Sequence, residues 1–266
     1  AAGDYYVIGG SGRVVSNRTA SLREGLEAAG VSVISYVGSN VTEAAEATRG
    51  AAVAIACGGG VAQESRDRKS LDLDQSSFLV NLVAATRKGR RLRELPPLVM
   101  VAFAPGAIAA PWAAHADAAL AIFLGGEATG DALADVIVGR VNPSGRLPVT
   151  VYANASAAAP APCADDVCRY AERLRANWRG ADTSAVAFPF GHGLSYTTFS
   201  NEWRQLPAER PEPAAHEVAG WSAADARYGR AAFNLSVRVT NTGARSGVEV
   251  AQLYLSYPEP AGEPPL

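Results

Sequence analysis

The chain has 266 residues, 48% of them hydrophobic, which is enough for one large domain and a smaller one that each bury a core. Its 24 basic and 26 acidic residues give a net charge of -2, which leaves no excess of positive field to hold a polyanion, so nucleic acid is not expected as a partner. Prolines and a glycine interrupt the apolar residues 98–116, which therefore predict a buried strand, a loop and a short helix rather than a membrane span.

Five apolar runs of strand length predict the strands of a mostly parallel sheet. They lie at residues 5–9, 31–37, 52–57, 98–103 and 118–124. These runs mostly lack alternation of polar and apolar residues, a pattern typical of strands that are buried on both faces and covered by helices. Cys57, at the end of the third run, is accordingly predicted to be a buried thiol.

Helical segments lie between the apolar runs. Ser21 and Glu24 have the spacing of a capping box, and Gly30 stands where a left-handed C-cap belongs. Residues 71–87, and a segment that ends before Gly139, carry apolar residues at helical offsets. This alternation of strand and helix predicts an α/β layered sandwich, whose functional edge lies outside the carboxyl ends of its strands.

The later part of the chain changes character. Residues 153–187 are rich in Ala, Pro and charged residues, whereas polar and apolar residues alternate from residue 231. The turn sequence Asn241-Thr242-Gly243 and a second strand at residues 248–255 then predict the start of a β-sandwich. We predict an α/β domain at 1–152, a connector at 153–200 that packs on both neighbours, and a partial all-β domain at 201–266. These strands are too few to close a sandwich, so we expect the chain to belong to a longer polypeptide.

Cysteines and glycosylation triplets indicate an oxidising compartment. Cys163 and Cys168 are close enough in sequence to form one bridge. Asn-x-Ser/Thr triplets begin at Asn17, Asn40, Asn154 and Asn234. We therefore predict a glycoprotein that is secreted or located in a lumenal or vacuolar compartment.

Several segments, in order along the chain, resemble glycoside hydrolase family 3. Residues 10–14 (GSGRV) are similar to the loop after the first strand of that family's second domain, and residues 64–71 (ESRDRKSL) to its Glu-Gly-x-Asp-Arg-x-x-Leu element. Residues 139–148 (GRVNPSGRLP) and 188–199 (FPFGHGLSYTTF) match its two most recognisable blocks. Residues 239–254 look like the opening of the fibronectin type III-like domain that many members carry. One departure is Ser65, which stands where the family usually has Gly.

The resemblance implies a retaining β-glycosidase that removes terminal β-D-glucosyl or β-D-xylosyl residues. Retention requires two carboxyl groups about 5–5.5 Å apart. In this family the nucleophile is an Asp on an N-terminal TIM-type barrel, which this chain lacks, and in many members a Glu on a loop of the second domain is the acid/base. That Glu corresponds to Glu64. The chain alone is then expected to be inactive and to expose an apolar face where the barrel docks, and no cofactor is expected.

The neighbours of Glu64 suggest how its loop is held. The loop follows Gly58-Gly59-Gly60, a run predicted to be flexible, so Glu64 is expected to project from the carboxyl end of a strand. Asp67 and Arg68 are predicted to support the loop as a structural pair.

Two interpretations are consistent with a second set of residues, which consists of Ser11, Gly12 and Arg13. These residues either line the substrate entrance, where Ser and Arg can bond sugar hydroxyls, or form a tight structural turn.

The sequence offers two alternative functions. A nucleotide site at Gly9-Gly10-Ser11-Gly12 is disfavoured because the third glycine of the dinucleotide fingerprint is missing. The second alternative is a catalytically silent homologue that binds carbohydrate on the same scaffold. This sequence does not distinguish it from an enzyme, because the nucleophile would lie on the barrel. No cluster of His, Cys and carboxylate residues has metal-ligand spacing, so no metal is expected.

Overall fold

A computed structural model describes residues 5–34, 37–87, 96–158, 167, 172, 175, 177–205 and 235–254. The chain divides into two compact units. The first lies within Ala1–Val141, Gly145–Gly193 and Gln252–Leu266, and the second within Asn142–Ser144 and Leu194–Ala251. The predicted cysteine bridge and the triplet at Asn234 lie outside the described residues.

A three-stranded parallel sheet forms the centre of the first unit. Strand β1 (Ala54–Gly59) pairs with β2 (Leu98–Ala104), which pairs with β3 (Ala118–Phe123). The central strand β2 is the most buried, and Met100 on it has no exposed surface. Three of the five predicted strands are therefore confirmed, and their parallel pairing follows from the helices and loops that connect them.

The other two predicted strands are wrong. Residues 5–9 form a turn and a bend, with one bridge between Gly9 and Gln63, and the described residues of 31–37 have no regular structure. A β-ladder needs consecutive extended residues, but the backbone reverses at Gly10 (φ 92°) directly after the first segment. At the second segment the Val31 N–H is already bonded to the Leu26 carbonyl, 2.9 Å away, at the end of a helix.

That helix, α1 (Leu22–Ala28), begins and ends as predicted. The Ser21 hydroxyl accepts a bond from the Glu24 N–H, while the Glu24 carboxylate accepts one from the Ser21 N–H at 2.8 Å, which completes the capping box. At the other end the Gly30 N–H donates to Glu27 at 3.0 Å, and together with the Val31 bond this forms a Schellman motif. Helix α4 (Thr129–Ile137) packs against α1 and precedes Gly139, as predicted.

Helices α2 (Val41–Ala47) and α3 (Ser76–Arg87) pack together. Leu79 of α3 is fully buried in a core cluster that includes Ala56 of β1 and Met100 of β2. Helix α3 begins at Ser76 rather than at residue 71, because the chain before it forms a loop that is bonded to the sheet. The Asp74 N–H donates to the Gly59 carbonyl at 2.8 Å.

Residues 98–116 form strand β2, a loop and a short 3-10 helix at Ala113–His115, as predicted. Within the described part of the chain no helix has the length and apolar character needed to cross a bilayer. Cys57 is exposed, which corrects the prediction of a buried thiol. It alternates with Ala56 and Gly58, which are buried, and so points to the other face of the sheet.

Two small antiparallel sheets complete the structure. In the first unit β4 (Val151–Tyr152) pairs with β5 (Val186–Phe188), and in the second β6 (Phe199–Gln205) pairs with β7 (Ser236–Asn241). The predicted turn is present, because the Gly243 N–H donates to the Asn241 side-chain oxygen at 3.0 Å. The predicted strand after this turn is absent from the described residues 248–254, since the ladder partner of β7 is β6.

Candidate active site

Glu64 lies in the loop that follows β1, at the carboxyl end of the parallel sheet. Strand β1 ends at Gly59, and the next residue, Gly60, donates its N–H to the carbonyl of Phe103 near the end of β2, 3.1 Å away. The Glu64 side chain is exposed to solvent. The glutamate therefore occupies the edge at which α/β domains place their functional groups.

A glycine turn holds the Glu64 backbone. The Gly9 N–H donates to the Ala62 carbonyl at 2.9 Å, and the Glu64 N–H donates to the Gly9 carbonyl at 3.3 Å. Gly10 has a φ of 92°, and a Cβ added there would overlap the Cβ of Glu64. Only glycine fits at residue 10, because its backbone conformation is left-handed and Glu64 lies directly against it.

The same turn binds the Glu64 carboxylate. The Ser11 N–H donates to Glu64 Oε2 at 2.7 Å. Hydrogen bonds from Ser11, first from its side chain and then from its backbone N–H, hold the pKa of Glu64 below its usual range. These bonds favour the charged form, so the exposed carboxylate is anionic at neutral pH.

The three predicted substrate-binding residues have different positions relative to Glu64. Ser11 is brought into contact with it, whereas the Arg13 N–H closes the turn by donating to the Gly10 carbonyl at 3.1 Å. Gly12 lies between them and is exposed. The geometry is that of a tight turn that also contacts the glutamate, and a role in binding sugar stays a prediction.

Arg68 ties the Glu64 loop to the rest of the unit, although Asp67 is not its partner. The Arg68 guanidinium donates to the carbonyls of Ala107 at 2.8 Å and Asp72 at 3.1 Å, and among the described ion pairs there is none between Arg68 and Asp67. Burial lowers the pKa of Arg68, while the charges of Asp74 and Asp72 act in the opposite direction. Arg68 therefore supports the loop through backbone carbonyls, and Asp67 stays exposed.

An open groove of about 520 Å³ runs along the loop between Val61 and Asp74. Charged side chains of both signs dominate its lining: Arg66, Asp67, Arg68, Lys69, Asp72 and Asp74. The groove thus places cationic donors next to carboxylate acceptors beside the Glu64 loop.

The glycines of β1 serve packing, which corrects the prediction of a flexible run. Gly58 and Gly59 belong to the strand, and both are buried. A Cβ on Gly58 would come within 2.9 Å of the Leu79 side chain, and one on Gly59 within 2.6 Å of the Tyr5 ring. These positions need glycine because other side chains lie against the backbone.

Two residues that the sequence motifs do not mark, Tyr5 and Gln75, lie at the end of β1. The Gln75 side chain donates to the Tyr5 hydroxyl at 3.0 Å and accepts from the Gly59 N–H at 2.8 Å. The only sequence signal was an aromatic residue at the start of an apolar run, which any core residue would give. Among the residues that the structure describes, no group of three or more His, Cys, Asp or Glu side chains could hold a metal ion.

The fold and the site define an α/β domain that presents one glutamate on a glycine turn at the carboxyl edge of a parallel sheet. The sequence model of the Glycosyl hydrolase family 3 C-terminal domain matches residues 1–196. The chain belongs to glycosyl hydrolase family 3, so the resemblance carried by its motifs is confirmed.

The relatives are β-glucosidases in name and much longer in sequence. Probable beta-glucosidase D of Aspergillus niger is 33% identical over 208 residues, which are 76% of this chain and 26% of that protein. Thermostable beta-glucosidase B of Acetivibrio thermocellus is 35% identical over 164 residues, or 59% of this chain and 20% of that protein. The chain thus spans about a quarter of the length of these relatives.

Solved structures confirm the fold class. Beta-glucosidase 3B from Thermotoga neapolitana, solved in complex with glucose, has a TM-score of 0.66 and 20% identity, over 91% of this chain and 37% of that one. At this identity the likeness shows the fold alone, which consists of α/β layers followed by a partial β domain.

Proposed function

We propose that this chain is the C-terminal part of a retaining β-glycosidase that hydrolyses terminal β-D-glucosyl or β-D-xylosyl residues, with Glu64 as its acid/base. The observation that carries the proposal is an exposed glutamate, held by a glycine turn at the carboxyl edge of the sheet, in a family whose named relatives are β-glucosidases. An N-terminal TIM-type barrel of the full-length protein supplies the Asp nucleophile.

In this proposal Glu64 acts twice. It first donates a proton to the leaving-group oxygen as the glycosidic C–O bond breaks and the Asp carboxylate attacks the anomeric carbon. It then accepts a proton from the water that attacks the covalent glycosyl-enzyme, and the Asp carboxylate is released. The first step requires protonated Glu64, and the second requires its carboxylate.

The low pKa of Glu64 in the chain alone suits the second step better than the first. An acid role requires the pKa to rise, which apolar burial and a second carboxylate nearby would cause. Val14 and Val15, which follow the Ser11 turn, are 73% and 69% exposed. We propose that the barrel covers this apolar surface, excludes water from Glu64 and brings the nucleophile close.

The test of this function uses the full-length protein and an aryl β-D-glucoside. We expect turnover, with β-glucose as the first anomer seen by NMR, and no turnover by the 266-residue chain alone. Release of α-glucose first would contradict retention, and activity of the chain alone would contradict a site shared with the barrel. Absence of turnover by the full-length protein, together with measurable glucose binding, would instead establish the silent carbohydrate-binding homologue.

Replacing Ser11 with alanine tests the electrostatic contact. The side-chain bond of Ser11 lowers the pKa of Glu64, so Ser11→Ala should raise that pKa. Because the acid must be protonated, kcat/KM falls as pH rises through this pKa. The alkaline limb of the pH profile should therefore move to higher pH in Ser11→Ala.

Ser16→Ala is the matched control, because the Ser16 hydroxyl bonds Glu127 and the Arg18 carbonyl rather than Glu64. Its alkaline limb should stay in place. A limb that stays in place in Ser11→Ala, or moves to lower pH, would show that Ser11 does not set the pKa of Glu64.

A further inference from the structure

A hydrogen-bond network centred on Tyr5 lies at the carboxyl end of β1. The Tyr5 hydroxyl donates to Asp74 Oδ2 at 3.1 Å and accepts from Gln75 Nε2 at 3.0 Å. Both partners are also bonded to Gly59, the last residue of β1. The Asp74 N–H donates to the Gly59 carbonyl and the Gly59 N–H donates to Gln75 Oε1, each at 2.8 Å. The network therefore fixes the Tyr5 side chain to the end of the strand.

The ring of Tyr5 packs at the end of the sheet. It lies so close to Gly59 that an added Cβ would come within 2.6 Å of it, and it stacks on Phe103 of β2 with a centroid distance of 6.4 Å. Burial raises the pKa of the Tyr5 phenol, and Asp74 raises it further while the bond from Gln75 lowers it. Tyr5 is therefore neutral at working pH and keeps the proton that it donates to Asp74.

The backbone between Tyr5 and the Glu64 contacts has few restraints of its own. Residues 5–9 form no strand, and their only described β-bridge is the one between Gly9 and Gln63. One further backbone bond, from the Gly126 N–H to the Tyr6 carbonyl at 3.0 Å, holds the segment at its start. The backbone bonds of Gly9 hold the turn to the Glu64 loop, and the Tyr5 side chain adds a direct link from this segment to the end of β1.

We propose that Tyr5 is a positioning residue for Glu64, acting through the short segment that joins its anchored ring to the turn at Gly9, Gly10 and Ser11. This inference rests on the proposed acid/base role of Glu64. Loss of the Tyr5 hydroxyl removes the bonds to Asp74 and Gln75, so that only packing of the ring then holds the segment at the end of β1. The turn then holds the glutamate less accurately, and a displacement of about 1 Å costs on the order of 100-fold in rate when a catalytic group is misplaced.

The test is Tyr5→Phe in the full-length enzyme, assayed on phenyl and dinitrophenyl β-glucosides. A phenyl leaving group needs the acid, whereas a dinitrophenyl group leaves without it. We expect kcat/KM to fall about tenfold for the phenyl substrate and less than about twofold for the dinitrophenyl substrate, an intermediate loss for a misplaced acid. Tyr6→Phe is the matched control and should leave both values unchanged.

A double-mutant cycle with Glu64→Ala separates positioning from general structural damage. If Tyr5 acts through Glu64, Tyr5→Phe should have no further effect on the phenyl substrate in the Glu64→Ala background. Three outcomes would each overturn the inference. These are equal losses of kcat/KM for both substrates, additive losses in the cycle, and kcat/KM values of Tyr5→Phe that equal those of Tyr6→Phe. If Glu64→Ala alone leaves phenyl glucoside turnover unchanged, it is the proposed function that fails.

A second variant keeps the inference testable if Tyr5→Phe unfolds. Asp74→Ala removes the carboxylate that accepts from the Tyr5 hydroxyl but retains the backbone bond from residue 74 to the Gly59 carbonyl. We expect the same selective loss for the phenyl substrate, with a melting temperature close to that of the unmodified enzyme. Unchanged kcat/KM for both substrates in this variant, as in Tyr6→Phe, would overturn the inference.

Discussion

Glu64→Ala in the full-length enzyme should lower kcat/KM for phenyl β-glucoside by about 10²- to 10⁴-fold, the range that a general acid contributes. Without a proton donor the phenolate must leave as an anion, which raises the barrier to breaking the glycosidic bond. The substitution removes an exposed side chain whose only described partners are on Ser11. We therefore expect the melting temperature to change little.

The activated substrate should distinguish the two roles of Glu64. A dinitrophenyl glucoside should still glycosylate the nucleophile in Glu64→Ala, because its leaving group needs no proton. Deglycosylation should then be slow, since no base takes a proton from the attacking water. The glycosyl-enzyme should accumulate and appear as a burst of released dinitrophenolate.

Azide completes this test, because it is an anionic nucleophile that needs no base. Added azide should restore turnover of the dinitrophenyl substrate in Glu64→Ala and yield the β-glucosyl azide, the product of a second inversion at the anomeric carbon. Glu46→Ala removes an exposed glutamate from α2 and serves as the control that azide should not affect. Undiminished hydrolysis of the phenyl glucoside by Glu64→Ala would remove this residue from the mechanism.

Features that depend on neighbours in sequence could be predicted for this chain. The sequence predicts both ends of α1 correctly, because each end depends on residues within one turn. Ser21 and Glu24 are hydrogen-bonded to each other, and the Gly30 N–H donates to the Glu27 carbonyl of the same helix. The buried strand β2 was correct because a central strand of a parallel sheet must be apolar on both faces. The position of Glu64 at the carboxyl edge followed from the strand that precedes it.

Contacts between distant residues could not be predicted in this way. Tyr5 and Asp74 are 69 positions apart, and nothing in either local sequence marks them as a pair. The apolar pattern of residues 5–9 predicts a strand wrongly, because burial, rather than ladder formation, determines that pattern. The run of glycines predicts flexibility wrongly, because the sequence does not show which side chains lie against Gly58 and Gly59.

Ser65 shows how a departure from a family pattern can be explained by the backbone. It has a φ of 61°, in the left-handed region that non-glycine residues adopt rarely. Glycine, which the resembled family 3 element has at this position, would adopt this conformation without strain. A serine there is strained, directly after Glu64.

The crossing of α1 and α4 leads to the largest stability effect that we expect. Gly25 is buried in α1, and a Cβ on it would lie 2.5 Å from the carbonyl oxygen of Gly130 and 2.7 Å from its carbonyl carbon, in the first turn of α4. Backbone hydrogen bonds hold the helices at this distance. Ala20, before α1, accepts from the Gly130 N–H at 3.1 Å and donates to the Glu127 carbonyl at 2.9 Å.

Two opposing effects decide the outcome of Gly25→Ala. Alanine is favoured over glycine inside a helix by about 0.5–1 kcal/mol. Overpacking a tight contact costs about 1–3 kcal/mol or more, and here the upper end applies because the obstructing atoms are backbone and cannot rotate away. We therefore expect net destabilisation of about 2 kcal/mol, or a melting temperature lower by roughly 4–8 °C where the α/β domain unfolds as a cooperative unit of about 150–250 residues.

Thermal melting of the full-length protein measures this effect. Gly106→Ala is the matched control, because a Cβ there has no atom within 4 Å and its backbone is not left-handed. It should be neutral or slightly stabilising, since alanine restricts the unfolded chain. A Gly25→Ala protein that melts at or above the control would show that α1 and α4 can separate without cost, and that helix propensity outweighs their close contact.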